Sequence, residues 1–247
     1  MIELTVVTVN YNSGGGLELT VNSLADYLSD PRVELVLIDA CSSDQSSDFI
    51  ENNKDSFGAV VIEPDKGIYD AMNKAIKMAK GKWVWFVNSG DLVLAQSNVL
   101  LERLSSSKNI STVIYSDLTL SNGLIIQQSS NLTFLMRRMI NHQNIIYSKD
   151  ILKVGYDIKF KYCADFAHMM NSFKALTFIK FDQCLCLYDV DGVSSNRSYM
   201  VRQLIWQERY LAMRNSNTFF FSKIGSLFAL AIVGLFCFIN SVKRVGK

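Results

Sequence analysis

Residues 83–91 read Trp-Val-Trp-Phe-Val-Asn-Ser-Gly-Asp, an apolar run that breaks into small and polar residues and ends in a carboxylate. The apolar part is typical of a strand that is buried on both faces, as in a parallel sheet. Asp91 would then follow the carboxyl end of that strand. Ligands of open α/β sheets bind beyond the carboxyl ends of the strands, so Asp91 is a candidate binding residue.

The same unit of strand, polar end and helix occurs three times before residue 83. Apolar, β-branched runs predict strands at residues 4–9, 33–38 and 59–62. Apolar spacing and stop signals predict helices at residues 17–28, 44–53 and 68–79. This alternation predicts an α/β fold, namely a Rossmann-like, mostly parallel sheet with helices on both faces. We therefore expect four polar residues to share one rim: Asn10, Asp39, Asp65 and Asp91.

The remaining chain is less regular. A helix is predicted near residues 98–104, a strand near 113–115 and a hairpin through 121–123. We predict one domain over residues 1–198, with one half at 1–97 and a second half at 98–198. A basic C-terminal tail follows at residues 199–247.

The tail contains 19 consecutive uncharged residues between Lys223 and Lys243. A helix of that length rises about 1.5 Å per residue and approaches the roughly 30 Å hydrocarbon thickness of a bilayer. We expect it to associate with a membrane. Lys243 and Arg244 would lie outside if it crossed once, against the positive-inside tendency. An in-plane or re-entrant helix, a true span and a soluble core helix all stay open.

Charge is distributed unevenly along the chain, although the net charge is only +2. Residues 1–100 carry 7 Lys and Arg against 14 Asp and Glu, whereas residues 101–247 carry 18 against 9. The acidic part suits a cation site and the basic part an anionic lipid surface. No recognition motif accompanies the basic residues, so we expect no nucleic-acid partner. We also expect no signal peptide, because no basic region and apolar core open the sequence.

A single aspartate at a strand end suffices for one kind of metal site. Magnesium or manganese bound to a nucleotide takes one or two protein carboxylates, because phosphate oxygens and water complete its coordination. The ion can then offset the charge that develops on a leaving diphosphate. Asp91 is accordingly the predicted ligand for Mg²⁺ or Mn²⁺.

Several ordered motifs in the first hundred residues resemble those of the family 2 glycosyltransferases. The closest likeness is to the bacterial exopolysaccharide and O-antigen enzymes of colanic-acid type. The motifs are Thr8–Asn12, Ile38–Asp44, Asp65–Lys74, Ala79–Gly81 and Phe86–Asp91. The likeness continues more loosely to about residue 198.

The resemblance implies a GT-A fold and an inverting transfer from a nucleoside-diphosphate sugar, assisted by a divalent cation. It implies a lipid-linked oligosaccharide as acceptor, at the cytoplasmic face of the inner membrane. Carried over by motif, the donor-nucleotide residues are Thr8, Tyr11, Asp39, Asp65 and Asn88. The metal ligand is Asp91. The family often has further aspartates where this chain has Asn88 and Gly90.

The resemblance also implies that residues 1–97 form a nucleotide-sugar-binding half and residues 98–198 an acceptor-side half. Three residues of the second half complete the implied site. Asp165 resembles the family's acidic catalytic position, where a carboxylate takes the proton of the acceptor hydroxyl; it could also cap the helix that follows. His142 resembles a histidine near the acceptor, although a structural histidine is an equal reading. Arg197 could meet the diphosphate, whereas the segment before it could be a plain glycine turn.

Two other functions stay open at this point. Gly14, Gly16 and Asp39 mimic half of a dinucleotide-binding fingerprint, but the third glycine would fall on Leu19, which argues against an oxidoreductase. A non-catalytic, membrane-associated assembly protein with the same fold is the second alternative. Asn88 and Gly90 are the features that favour it.

Overall fold

The structure is a computed structural model that describes residues 1–108, 110–188 and 199–216. Of these, residues numbered 1–158 and 175–188 form one compact unit, and residues 159–174 and 199–216 form a second. The predicted apolar tail and Arg197 lie outside the described residues. No helix within the described ranges is both long and apolar enough to cross a membrane.

The described part of the chain alternates strands and helices as predicted. Its strands are β1 (Leu4–Asn10), β2 (Val33–Asp39), β3 (Ala59–Ile62), β4 (Trp83–Phe86), β5 (Leu92–Val93), β6 (Thr112–Tyr115), β7 (Leu118–Leu120), β8 (Ile125–Ile126), β9 (Ile145–Ser148), β10 (Thr177–Lys180) and β11 (Cys186–Tyr188). Its helices are α1 (Gly16–Ser23), α2 (Ala25–Leu28), α3 (Gln45–Asn52), α4 (Ile68–Met78), α5 (Ser97–Ser106), α6 (Leu132–Arg137), α7 (Ala164–Ser172) and α8 (Tyr199–Asn215).

The main sheet of the first unit has the strand order β10-β6-β9-β4-β1-β2-β3. Strands β4, β1, β2 and β3 run parallel, as their βαβ connections predict. Strand β9 runs antiparallel to both β4 and β6. The sheet is therefore mostly parallel, as predicted, and it is mixed only because one reversed strand, β9, is inserted between two parallel groups. A smaller sheet has the order β5-β11-β7-β8.

The core explains why the quoted run forms the central strand β4. Trp83, Trp85 and Phe86 are all fully buried, because helices and loops cover both faces of the sheet. The Trp85 ring meets Tyr27 of α2 edge-on at 5.7 Å between ring centroids. Large apolar side chains on both faces of β4 thus fix its position at the centre of the sheet.

The order of the strands decides where a ligand can bind. From β1 the chain first adds β2 and then β3 on one side, and it returns to add β4 on the other side. The connections leaving β1 and β4 therefore diverge at their carboxyl ends and open a crevice there. The predicted boundary between halves at residue 98 stays a prediction.

Candidate nucleotide-sugar site

A tight turn, Asn88–Asp91, follows β4 at this crevice. The Asp91 N–H donates to the Asn88 carbonyl at 3.0 Å, and the Asn88 N–H donates to Asp91 Oδ2 at 3.1 Å. The turn therefore folds the carboxylate back over the end of its own strand. Ser89 N–H continues the sheet by donating to Val9 O at 3.3 Å.

Thr20 of α1 supports this turn from beneath, and it was not predicted. Its side chain is fully buried. Thr20 Oγ1 donates to the Asp91 carbonyl at 2.9 Å and accepts from the Gly90 N–H at 2.9 Å. One hydroxyl thus satisfies two backbone groups of the turn. No motif pointed to it, because Thr20 lies inside an ordinary helical pattern.

Gly90 occupies a backbone conformation that explains its place in the sequence. Its φ is +99°, a region that residues with a Cβ rarely adopt. Its N–H also donates to Gly16 O at 3.1 Å, and a Cβ on Gly16 would lie 3.3 Å from that nitrogen. An aspartate at position 90 would therefore strain this turn.

A cavity of about 350 Å³ opens beside the turn. Three of the four predicted rim residues line it, namely Asn10, Asp65 and Asp91, together with Tyr11 and Asn88; Asp39 does not. These residues come from the ends of β1 and β4 and from the segment after β3. The prediction that strand-end polar residues share one rim is confirmed for them.

The surroundings of Asp91 raise the pKa of its carboxyl group. Desolvation raises the pKa of Asp91 to about 7, while hydrogen bonds from the Gln143 side chain and the Asn88 backbone act to lower it. Nearby, Asn88 Oδ1 and Ser89 Oγ are buried and have no hydrogen-bond partner among the described residues. A half-buried, poorly solvated carboxylate beside unsatisfied oxygens is a donor set suited to a hard cation.

The protein itself supplies few further metal ligands. Within the described residues, no group of three or more His, Cys, Asp or Glu side chains could hold a metal ion. The site therefore fits a divalent cation only if phosphate oxygens of a nucleotide complete its coordination, as the sequence analysis expects of Asp91.

Gln143 is the second unpredicted residue of the site. It lies in a short 3₁₀ helix, His142–Asn144, and lines the cavity. Its carbonyl accepts a 2.7 Å hydrogen bond from Trp85 Nε1, which fixes this segment against β4. Its side chain can therefore reach the Asp91 carboxylate. The only sequence signal was its position next to His142 in a polar break between apolar segments.

His142 itself lies in an aromatic cluster. Its ring stacks on Phe86 at 4.9 Å between centroids and lies 6.0 Å from the rings of Tyr147 and Tyr156. The structure thus places His142 behind β4, next to the cavity-lining Gln143. Its acceptor-side role stays a prediction.

Asp39 and Thr8 lie under the rim. Asp39 is buried and accepts hydrogen bonds from Asn10 Nδ2 at 2.7 Å and from the Ser42 hydroxyl and N–H at 2.6 and 2.8 Å. Thr8 is fully buried and donates to Val87 O at 2.8 Å. Both side chains therefore hold the rim loops in place. Their direct contact with a nucleotide stays a prediction.

Tyr11 and Asp65 are more accessible. The Tyr11 side chain is 67% exposed at the cavity. Asp65 is half-buried, and its Oδ1 accepts a 2.7 Å hydrogen bond from Gly67 N–H just before α4. Both residues can therefore meet a ligand without breaking the core.

Asp165 belongs to the second compact unit. It is the second residue of α7 and is half-buried, and its Oδ1 accepts from the Phe166 N–H at 2.8 Å. The residue that caps α7 is Cys163. The alternative reading of Asp165 as the helix cap is therefore wrong by two residues, because the helix begins earlier than its sequence suggests.

A sheet whose order reverses at β1, with a carboxylate-lined cavity at the reversal, is the arrangement of α/β proteins that bind ligands beyond the carboxyl ends of their strands. The family model described as glycosyl transferase family 2 matches residues 5–169. The chain belongs to that family.

Individual relatives agree with this assignment. Over 207 residues the chain is 28% identical to an uncharacterized glycosyltransferase of Mycobacterium tuberculosis, and the match covers 78% of each chain. Over 91 residues it is 33% identical to TuaG of Bacillus subtilis, which is named for teichuronic acid biosynthesis; that match covers 36% of each chain.

Solved structures share the fold. Residues 1–349 of S. aureus TarS, in complex with UDP-GlcNAc, superpose with a TM-score of 0.68 at 19% identity, covering 87% of this chain and 68% of that one. The mannosyltransferase PcManGT from Pyrobaculum calidifontis, with GDP-Man and Mn²⁺, gives 0.62 at 14% identity, covering 93% and 72%. The predicted GT-A fold is confirmed.

Proposed function

We propose that this protein is an inverting glycosyltransferase of bacterial surface-polysaccharide synthesis. It moves a sugar from a nucleoside-diphosphate sugar to a lipid-linked saccharide. The observation that carries the proposal is the cavity at the strand-order reversal, with the half-buried and poorly solvated Asp91 carboxylate on its wall. The name of TuaG supports the polysaccharide assignment, and the ligands of TarS and PcManGT support the donor class.

The donor nucleotide is assigned to the rim. The exposed Tyr11 ring offers a face on which a base can stack, and Asp65 offers an acceptor for a base or ribose N–H or O–H. Asn10 and Asp39 hold the loops that carry these groups. Asn88 and Ser89 supply buried oxygens beside Asp91.

Asp91 is assigned as the ligand of a divalent cation. Such an ion, when bound with the donor, neutralises charge on the departing diphosphate. Gln143 orients the Asp91 carboxylate by hydrogen bonding, and the Asn88 N–H does so from the backbone. These two hydrogen bonds, one from a side chain and one from the backbone, fix the direction in which the carboxylate points.

Asp165 is assigned as the general base. The acceptor oxygen forms a bond to the anomeric carbon while the bond from that carbon to the diphosphate oxygen breaks. The electron pair leaves with the diphosphate, and the hydroxyl proton passes to the Asp165 carboxylate. A single displacement of this kind inverts the configuration at the anomeric carbon.

We also place the enzyme at the cytoplasmic face of the inner membrane. The support is the uncharged run between Lys223 and Lys243, which lies outside the described residues, and the excess of basic residues in the second half. A lipid-linked acceptor resides at such a surface.

The first experiment measures the melting temperature with UDP, GDP, dTDP and NAD, each with Mn²⁺ and with chelator. We expect one nucleoside diphosphate to stabilise the protein with Mn²⁺ and to lose its effect in chelator. At a hundred times Kd the gain is about 2.7 kcal/mol, or roughly 5–11 °C for a chain of this length. If NAD alone raised the melting temperature, or if none of the nucleoside diphosphates raised it, the donor assignment would be overturned.

The second experiment tests the base. Asp165→Asn should lower turnover by about two decades or more. The readout is release of the nucleoside diphosphate from its sugar nucleotide, and the nucleotide-induced rise in melting temperature should persist. Lost nucleotide binding would reassign Asp165 to the donor site.

A further inference from the structure

Glu208 of α8 makes an unusual set of contacts within the second compact unit. Its carboxylate accepts hydrogen bonds from three consecutive backbone N–H groups: Lys161 at 2.8 Å, Tyr162 at 2.8 Å and Cys163 at 3.0 Å. These are the last three residues before α7 begins. One side chain of α8 thus fixes the backbone that leads into α7.

The local sequence leaves the start of α7 without a capping side chain of its own. The N-cap residue of α7 is Cys163, whose side chain makes no capping hydrogen bond. Ser, Thr, Asp or Asn would normally supply the oxygen at that position. The Cys163 thiol instead lies 3.7 Å from the carbonyl of Ile205, to which it donates. Glu208 accepts instead from the N–H of this N-cap residue and from the two N–H groups before it, and its charge suits the positive end of the helix.

Arg209, the next residue of α8, contacts the other side of the same helix start. Its guanidinium carbon lies 4.5 Å from the centroid of the Phe166 ring and 5.2 Å from that of Trp206. Phe166 follows Asp165 directly, and its N–H donates to the Asp165 carboxylate at 2.8 Å. Two adjacent residues of α8 therefore hold the backbone before Asp165 and the ring after it.

We infer that Glu208 is a positioning residue for Asp165. By holding residues 161–163, it fixes the start of α7 and with it the direction of the Asp165 carboxylate. This inference rests on the proposed function, in which Asp165 is the base. The family match ends at residue 169, so Glu208 lies beyond the segment that defines the family.

The test uses Glu208→Gln in the full-length protein. The amide keeps the size of the side chain, but it loses the charge and turns a donor toward N–H groups. We expect faster hydrogen exchange at the amides of residues 161–163. A displacement of about 1 Å can cost on the order of 100-fold in rate, so we expect kcat for nucleoside-diphosphate release to fall about 10- to 100-fold. The KM for the sugar nucleotide should stay within about twofold.

Two controls separate positioning from general damage. Gln207→Ala changes an exposed neighbour on the same helix and should leave kcat unchanged. Met213→Ala removes a buried side chain of α8 and should lower the melting temperature, with kcat unchanged in the folded protein. A kcat as low in Met213→Ala as in Glu208→Gln would overturn the inference.

A double mutant provides the sharpest readout. If Glu208 acts through Asp165, Glu208→Gln combined with Asp165→Asn should be no slower than Asp165→Asn alone. Multiplied losses would assign Glu208 a separate role and overturn the inference. If Glu208→Gln keeps the wild-type kcat while Asp165→Asn is slow, the inference on Glu208 is overturned and the assignment of Asp165 as the base stands. Wild-type kcat in Asp165→Asn overturns the base assignment and this inference together.

Discussion

Gly90 allows the geometry of the site to be tested by stability alone. Its φ is +99°, and a Cβ built on it meets no atom within 4 Å. The cost of a side chain there is therefore backbone strain without a steric clash. Strain of this kind costs on the order of 1–3 kcal/mol. Gly90→Ala and Gly90→Asp should consequently lose about the same stability, roughly 2 kcal/mol.

Gly14 offers a matched control on the neighbouring loop. Its φ is +57°, within the ordinary left-handed region, and its Cβ would also meet nothing within 4 Å. Gly14→Ala should cost about 1 kcal/mol, less than Gly90→Ala. The assay is urea unfolding without ligand, with the midpoints compared at equal slope. Each kcal/mol corresponds to about 2–4 °C in melting temperature.

The aspartate variant carries the decisive comparison. Gly90→Asp introduces the aspartate that the family often has at this position. It should not tighten Mn²⁺ binding, because the strained turn would shift the Asp91 carboxylate. The Gly90 N–H bonds to Gly16 O and Thr20 Oγ1 would be disturbed as well. If Gly90→Asp were as stable as the native protein and bound Mn²⁺ more tightly, the turn would not be the reason for glycine.

Three further substitutions test the surroundings of the site. Asp91→Asn should abolish the Mn²⁺-dependent part of the nucleotide-induced melting shift, because the charged ligand is lost; a shift that still disappears in chelator would place the ion elsewhere. Thr20→Val removes a hydroxyl that serves two turn backbone groups and should cost about 2 kcal/mol in urea unfolding, which Thr20→Ser should largely restore. Asn73→Ala removes both hydrogen bonds to the Tyr156 backbone, at 2.8 and 2.7 Å, and should cost about 2 kcal/mol; an unchanged urea midpoint would contradict this.

Local patterns were enough to predict the first four strands and three of the four rim residues. The β-branched run at residues 59–62 forms β3 with the predicted bounds, although β3 is the edge strand of the sheet and its side chains are half-buried or, at Ile62, exposed. Polar strand ends predicted the cavity-lining positions of Asn10, Asp65 and Asp91. Both signals depend on residues that are close in sequence, and short-range patterns report those well.

Interruptions inside a continuing pattern were not predictable. The helix expected over residues 17–28 divides into α1 and α2 at Leu24. Ser23 Oγ donates to Thr20 O at 2.7 Å and accepts from Val93 N at 3.1 Å, which ties this point to β5. The apolar spacing runs through the break unchanged. A contact with residue 93 therefore decides what the local sequence does not show.

The reversed strand β9 and the residues that depend on it show the same limit. Residues 145–148 are a short apolar run, which predicts neither a partner nor a direction. Their antiparallel pairing with β4 brings the preceding segment back to the end of that strand. Gln143 reaches Asp91 for this reason, although 52 positions separate them in the sequence.

The groups around Asp91 support the proposal of a binding site at this end of β4. Burial raises the pKa of its carboxyl group to about 7, so the fold holds the charged form at an energetic cost. Two neighbouring oxygens, Asn88 Oδ1 and Ser89 Oγ, are buried without partners among the described residues. A folded chain gains no stability from such groups by themselves. Their shared position on one turn is explained by a ligand that brings positive charge and hydrogen-bond donors into the cavity.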